Sequence, residues 1–321
     1  VSEVIERTEW LAPSQAEALA RLLGVRTPRP GEGLPLTWHW IYLLERPSTT
    51  DLGPDGHPLV GIPAPPEPGR RRMWAGGSIE SRAPLLVGRE ATRRTRVLDR
   101  VDKRGRSGRL TFLSVGHDIA QDDRLCVRER HDIVYRDAAA PTGDPRAEAP
   151  LGRTSPAAEG ELALTITPPL LFRYSALTYN GHRIHYDRDY ARDVEGYPGL
   201  ITHGPLQACL MAEAARAAGL VPPGPVRFDY RLIAPLFDHQ GLVAGAAPAQ
   251  EPAPAQESAS AQEPASAQEP ASDAANAVGS TEDGGHVAAA GQVTLWARDL
   301  AGRRTARGTL IADLPQAPSL P

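Results

Sequence analysis

The chain has little that would mark a secreted, membrane-spanning or nucleic-acid-binding protein. Its 321 residues include only two cysteines, Cys126 and Cys209. That is too few for a disulfide framework, so a reducing interior is the expected setting and both look like small buried apolar residues. No apolar run approaches the ~18–20 residues that cross a bilayer. No secretory signal pattern opens the sequence, which starts at Val1. Charge of one sign is also scarce. The 35 basic and 39 acidic side chains give a net charge of −4, which argues against a strongly basic nucleic-acid binder. These absences predict a soluble, cytoplasmic protein with neither a membrane nor a nucleic acid as partner.

Proline and glycine, at 32 and 30 residues, are plentiful, and such an excess points to linker. Residues 246–290 contain four copies of a six-residue unit, Ala-Gln-Glu-Pro/Ser-Ala-Pro/Ser, with no Phe, Trp or Tyr and only Val278 and Val287 as larger aliphatics. Such a segment cannot bury enough apolar surface to offset the ~1–2 kcal/mol per residue lost on ordering. Its period is too short and too polar for a solenoid. A disordered insertion is expected. It holds seven acids and no Lys or Arg, so the remainder carries 35 basic against 32 acidic residues, a mild surplus that suits a phosphate-bearing ligand. A second soft stretch covers 138–160. The expected organisation is an N-terminal domain over 1–137, a linker over 138–160, and a C-terminal domain over 161–313 carrying the insertion, with a tail over 314–321.

The first half opens on a helix signal: Ser14 and Glu17 form a capping-box pattern, and Gly24 follows Leu19, Leu22 and Leu23 as a C-cap. Strand patterns follow over 90–101, 109–119 and 124–135, with a Gly-flanked hairpin turn at 103–108. The second half repeats that order. A short strand at 162–166 and an irregular polar segment at 174–190 precede a helix with Pro205 in its first turn and Gly219 past its end. Leu206, Cys209, Leu210 and Ala214 give it one apolar face. Strands return at 226–232, 242–244, 292–298 and 303–311, the insertion lengthening the loop between the second and third of these. A pseudo-duplicated α+β fold is the inference.

Chemistry concentrates between Arg173 and Asp187, and again at His203-Gly204-Pro205. An imidazole can take and give a proton near neutral pH, and a helix N-terminus offers unpaired N–H groups for an oxyanion. These are the parts needed to add water across an activated double bond. Read from the residues alone, Asn180 beside Gly181 also suits a turn in the left-handed region.

The run Asn180-Gly181-His182-Arg183-Ile184-His185, with Asp187, Tyr190-Ala191 and Pro198-Gly199-Leu200-Ile201-Thr202-His203-Gly204, resembles the hydratase signature of the MaoC-like hot-dog family. That signature reads Asp-x-Asn-Pro-hydrophobic-His, followed by an apolar-His-Gly turn into a central helix. The form here is similar to a double hot-dog subgroup, the mesaconyl-C4-CoA (3-methylfumaryl-CoA) hydratases and fatty-acyl thioester dehydratases. Met73-Trp74-Ala75-Gly76-Gly77 and Val134-Tyr135-Arg136 resemble its non-catalytic N-terminal hot-dog. The resemblance implies a hydro-lyase acting on an acyl-CoA thioester, with CoA as part of the substrate, no other cofactor and no metal. It implies His185 as the catalytic histidine and Gly204 as the backbone N–H on the thioester carbonyl. Asn180 stands where the family carries its catalytic Asp. An amide is no base, though it can orient a water.

Trp74, Gly76 and Gly77 are candidates for an acyl pocket, and His182 and His203 for its polar wall. Arg70, Arg71 and Arg72 offer partners for a substrate carboxylate or CoA phosphate. Two competing functions stay open: a metal hydrolase using His182, His185, Asp187 and His203, and a non-catalytic acyl-thioester-binding module. A double hot-dog contains the pairing that single hot-dogs reach by dimerising, so either a monomer or a homodimer is open.

Overall fold

A computed structural model of the chain describes residues 3–62, 64–65, 67, 70–105, 108–137, 154–249, 291–312 and 314. Ten strands form one antiparallel sheet in the order β1-β3-β4-β5-β2-β7-β10-β9-β8-β6. The first five in that order come from the N-terminal half: β1 (Val4–Trp10), β2 (Arg71–Ser81), β3 (Glu90–Gly105), β4 (Gly108–Gln121) and β5 (Arg124–Arg136). The other five come from the C-terminal half: β6 (Leu162–Leu164), β7 (Val226–Leu232), β8 (Leu242–Pro248), β9 (Val293–Arg298) and β10 (Arg304–Ala312). β2 and β7 fuse the two, pairing from Gly76↔Arg231 to Ser81↔Val226. This is the double hot-dog expected from the sequence.

Helix α3 (Gly204–Ala217) lies against β6, β8, β9 and β10. Pro205 sits in its first turn, where its missing N–H removes no intrahelical bond. The alanine-rich run that follows favours helix and keeps the side chains small. One apolar face was expected, yet every residue from Leu206 to Ala215 is buried, Gln207 and Glu213 included. The sheet and neighbouring loops enclose the helix on all sides, so a single apolar stripe is not required.

Helix α1 (Pro13–Leu23) starts differently from its expected capping box. Ala12 is the N-cap, Pro13 the first helical residue, and no side chain caps the end. Ser14 is inside the helix because Pro13 is pre-organised for its first position. Gly24 closes it in a left-handed conformation, donating its N–H to Ala20 O. Helix α2 (Pro168–Leu177) occupies part of the segment expected to be irregular. Its two prolines fall at the N-terminus, where they are tolerated, and the Thr167 side chain accepts from Leu170 N. One apolar core joins residues of α1, α2 and α3 with the inner face of the sheet.

β8 runs through Ala246, Ala247 and Pro248, the first residues assigned by composition to the insertion. From residue 250 to 290 that segment lies outside the described residues, as do 138–153 of the expected linker and nearly all of the tail. The expected hairpin turn at 103–108 is framed by the pair Gly105↔Gly108, with 106–107 outside the described residues.

Candidate active site

The turn that presents the histidines grows from the end of α2. Tyr179 takes the left-handed conformation (φ 50°), and Asn180 N donates back to Ser175 O at 2.8 Å. The left-handed residue is therefore Tyr179, one position before the Asn180 expected there. Asn180 Oδ1 accepts from His182 N at 3.0 Å, a side-chain turn that Asn forms readily. A short 3₁₀ turn, Arg183–His185, follows. It is tied to the segment leading into α3, because Ile201 N donates to Ile184 O at 3.0 Å and His185 Nδ1 lies 2.7 Å from Ile201 O.

That last contact fixes the chemistry of His185. A carbonyl only accepts, so Nδ1 carries the hydrogen and Nε2 of the neutral ring holds a lone pair. Burial lowers the His185 pKa from 6.5 to about 4, the bond to Ile201 opposing it and the nearby His57 adding to it. The ring stacks on His203, centroids 3.6 Å apart. His203 caps α3, and its Nε2 lies 2.8 Å from Ser175 Oγ. Burial, then the neighbouring His185, holds His203 well below the usual range. Both rings are thus neutral at pH 7, against the N-terminus of α3, where Gly204 is the first helical residue. A Cβ on Gly204 would come within 2.2 Å of Leu232 Cδ1, so the helix start also presses closely on β7.

A loop of the N-terminal half completes this wall, which the sequence reading did not anticipate. Pro54 O and Asp55 O accept from Arg183, at 3.1 Å from Nη1 and 2.9 Å from the backbone N respectively. Asp55 Oδ2 lies 3.3 Å from His57 Nδ1, and the His57 ring packs on His182 with centroids 4.0 Å apart. Burial lowers His57 and His182, and for His182 the charges of His57, His185 and Arg72 add to it. The local signal was Asp55-Gly56-His57, an acid and an imidazole two apart in a Pro/Gly-rich loop. Nothing in one sequence says that this loop reaches across to the other half.

A cleft of about 1550 Å³ runs along both halves and is lined by His57, Asn180, His182, His185, His203 and Gly204, and further along by Trp74. That exceeds the ~300–1000 Å³ of a site for a compact ligand. Trp74 packs edge-on to Trp40 at 5.5 Å and against His131 at 4.4 Å. Gly76 and Gly77 also border the cleft, but a Cβ there would meet Tyr230 O at 2.4 Å and Arg130 O at 2.2 Å. Close approach of β2 to β7 and β5 accounts for their missing side chains.

Beyond Trp74 the cleft meets a second polar cluster. Buried Glu129 accepts from Trp40 Nε1 at 2.6 Å and lies 3.1 Å from His39 Nε2. His131 Nε2 is 2.7 Å away, at an angle too poor for a full hydrogen bond. Burial works to raise the Glu129 pKa, yet the adjoining His131 and His39 hold it well below the carboxylate range.

The hydrolase ligand set is not assembled. Asp187 is engaged by Arg183 and Tyr190 N, and the stacked rings of His185 and His203 do not converge on one point. The donor groups that do approach one another within 4.8 Å among the described residues are Asp55, His57 and His182, and His117, Glu129 and His131. The first is joined by its own Asp–His bond and ring packing, the second by the His117–His131 hydrogen bond at 3.2 Å and the His131–Glu129 ion-pair contact. No helix among the described residues is long and apolar enough to cross a membrane.

Known proteins resemble this chain in sequence and fold. Over 239 residues the chain is 43% identical to the mesaconyl-C(4)-CoA hydratase of Chloroflexus aurantiacus, covering 74% of this chain and 83% of that one. It is 25% identical over 232 residues to the mitochondrial hydroxyacyl-thioester dehydratase type 2 of Schizosaccharomyces pombe, covering 64% and 75%. In fold it resembles HtdX of Mycobacterium tuberculosis (TM-score 0.58, 18% identity, 96% of this chain and 98% of that one). A MaoC-like dehydratase gives a TM-score of 0.61 at 14% identity, with 96% of each chain covered. The profile of the hydroxyacyl-thioester dehydratase type 2 family matches residues 37–238, and the chain belongs to that family.

Proposed function

We propose that this chain reversibly hydrates a 2-enoyl-CoA thioester, with mesaconyl-C4-CoA (3-methylfumaryl-CoA) as its substrate. The observation that carries the reading is His185: a neutral imidazole, its Nδ1–H committed to Ile201 O, its Nε2 left for proton transfer beside the α3 N-terminus. In the hydration direction His185 Nε2 accepts a proton from water as the water oxygen bonds to the β-carbon. The alkene electron pair shifts onto the thioester oxygen as an enolate, which the Gly204 N–H stabilises. The enolate collapses as the same proton passes from Nε2 to the α-carbon. The reverse sequence is the dehydration. Asn180 holds the turn and orients the water without accepting its proton, which leaves the acid–base work to His185.

In this reading residues 161–313 are the catalytic domain and 1–137 a domain that shapes the cleft, Trp74 contributing to the acyl wall and His182 and His203 to the polar wall. The reaction is redox-neutral and complete with side chains and water, so CoA enters only as part of the substrate. The chain acts in the cytoplasm, as a monomer or homodimer. The identity to a mesaconyl-C(4)-CoA hydratase over most of both chains supports the substrate. A second reading, 3-hydroxyacyl-thioester dehydratase of fatty-acid metabolism, is favoured by the yeast relatives.

Hydration of mesaconyl-C4-CoA, crotonyl-CoA and a long-chain enoyl-CoA, measured side by side, tests this. The highest kcat/KM is expected for mesaconyl-C4-CoA. A preference for the long chain would favour the dehydratase, and turnover of none, with ligand-induced stabilisation, would make the chain a binding module.

A further inference from the structure

Three consecutive arginines lead into β2, and their surroundings differ. Arg70 donates to the carbonyls of Arg109 and Tyr135 at 2.9 and 3.1 Å, with Nε 3.3 Å from Asp137. Arg71 pairs with Glu195 at 2.9 Å and donates to the carbonyls of Val194 and Glu195. Arg72 is half-buried and lines the cleft, and its side chain makes no hydrogen bond or ion pair among the described residues. Side chains two apart on a strand share a face, which puts Arg72 on the side of Trp74. Its charge also reaches His57 and His182, disfavouring a proton on either ring.

An unpaired guanidinium held beside neutral imidazoles is a fork shaped for a planar anion. We propose that Arg72 binds the free carboxylate of the acyl group and so selects dicarboxylyl over monocarboxylyl enoyl thioesters. The inference rests on the hydratase reading and names the residue that sets its substrate class. In a 3-methylfumaryl thioester the carboxylate is attached to the β-carbon, the carbon that takes the hydroxyl. Its partner must therefore stand near the reacting carbons, and Arg72 lines the same cleft within electrostatic reach of His57 and His182. The phosphates of CoA also suit an arginine, but they lie at the far end of the pantetheine arm from the reacting carbons. A bound carboxylate would also raise the depressed pKa values of the histidines it faces, improving them as bases when substrate is present.

The test is kcat/KM for mesaconyl-C4-CoA and for crotonyl-CoA, which lacks the carboxylate, in the full-length wild type, Arg72→Gln and Arg72→Lys. Loss of a charge-assisted pair predicts that Arg72→Gln lowers the mesaconyl-to-crotonyl ratio by roughly 30-fold or more. Arg72→Lys, which keeps the charge without the fork, should recover part of it. The same ratio change is expected with N-acetylcysteamine thioesters, which carry no phosphate. An unchanged ratio, or parallel loss on both CoA substrates that disappears with the phosphate-free thioesters, would overturn the assignment and give Arg72 to the CoA phosphates or the fold. A wild type that hydrates crotonyl-CoA but not mesaconyl-C4-CoA would instead overturn the proposed substrate, and the carboxylate assignment with it.

Discussion

The imidazoles of His185 and His203 lie 3.6 Å apart, centroid to centroid, with planes inclined by 18°. Two rings so stacked and so buried cannot both carry a proton cheaply, and the surroundings hold both neutral at pH 7. Each keeps a separate tether, His185 to Ile201 O and His203 to Ser175 Oγ. The pair fixes in one unit the ring proposed to move protons and the cap of the helix proposed to receive the oxyanion.

Stability should follow from these shifts. His185 titrates near 4 in the fold against 6.5 unfolded, and His57, His117, His182 and His203 are lowered in the same sense. A depressed folded pKa means that the unfolded chain binds the proton more tightly. The histidine contribution is therefore fully present above 6.5 and lost as pH falls toward 4. Calorimetry between pH 7.5 and 4.5 should show Tm declining once pH drops below about 6.5. A Tm that held level or rose across that window would contradict the buried neutral cluster.

The join between halves makes a second prediction. Gly56 has φ +84°, and a Cβ there would fall 1.9 Å from Gly181 O. Gly56→Ala adds left-handed strain of about 1–2 kcal/mol and forces the loop carrying Asp55 and His57 off the turn carrying His182. Denaturant unfolding should show lower stability, and kcat/KM should fall at least ~10-fold through misplacement of that wall. Full activity in a folded Gly56→Ala protein would show that the loop does not position the site.

Glu129 is the anchor of the other polar cluster. Removing the buried carboxylate leaves the Trp40 Nε1–H and the His39 and His131 rings without their partner, which typically costs about 1–3 kcal/mol for each buried group left unpaired. Glu129→Ala should lose stability on that scale, and Glu129→Gln less, since its oxygen still accepts from Trp40 or His39. Urea melts of the two variants decide it; equal and negligible losses would refute the coupling.

β8 and β9 stay paired through Pro248↔Val293, and Ala249 N donates to Gln292 O at 2.9 Å. The ends of the repeat segment are therefore already adjacent. Replacing residues 250–290 by a short glycine-containing turn should leave turnover intact and stability unchanged or slightly raised, because loop closure depends weakly on length. A large loss of turnover would give the repeat a role in the reaction.

Much of this was legible in the sequence where local rules dominate. The central helix announced itself through Pro205, its alanines and Gly219, and the strands of the second half through alternation ended by turn residues. β1 escaped because Val4–Trp10 is an edge strand of alternating exposed and half-buried residues, several of them charged. β2 escaped because Gly76 and Gly77, which suggested a ligand approaching the backbone, serve the approach of β5 and β7. Within the site, His185 and Gly204 stood out by motif. The tether to Ile201, the His203 stack and the arrival of His57 depend on contacts between residues distant in the chain, which no local pattern encodes.

The most direct measurement is the hydration of mesaconyl-C4-CoA by wild type and His185→Ala, followed as loss of enoyl-thioester absorbance, with the fold of the variant checked by circular dichroism. Removing the proposed acid–base group predicts a fall in kcat of about 10³-fold or more with the fold retained. A folded His185→Ala enzyme that turns over within a few-fold of wild type would contradict the account.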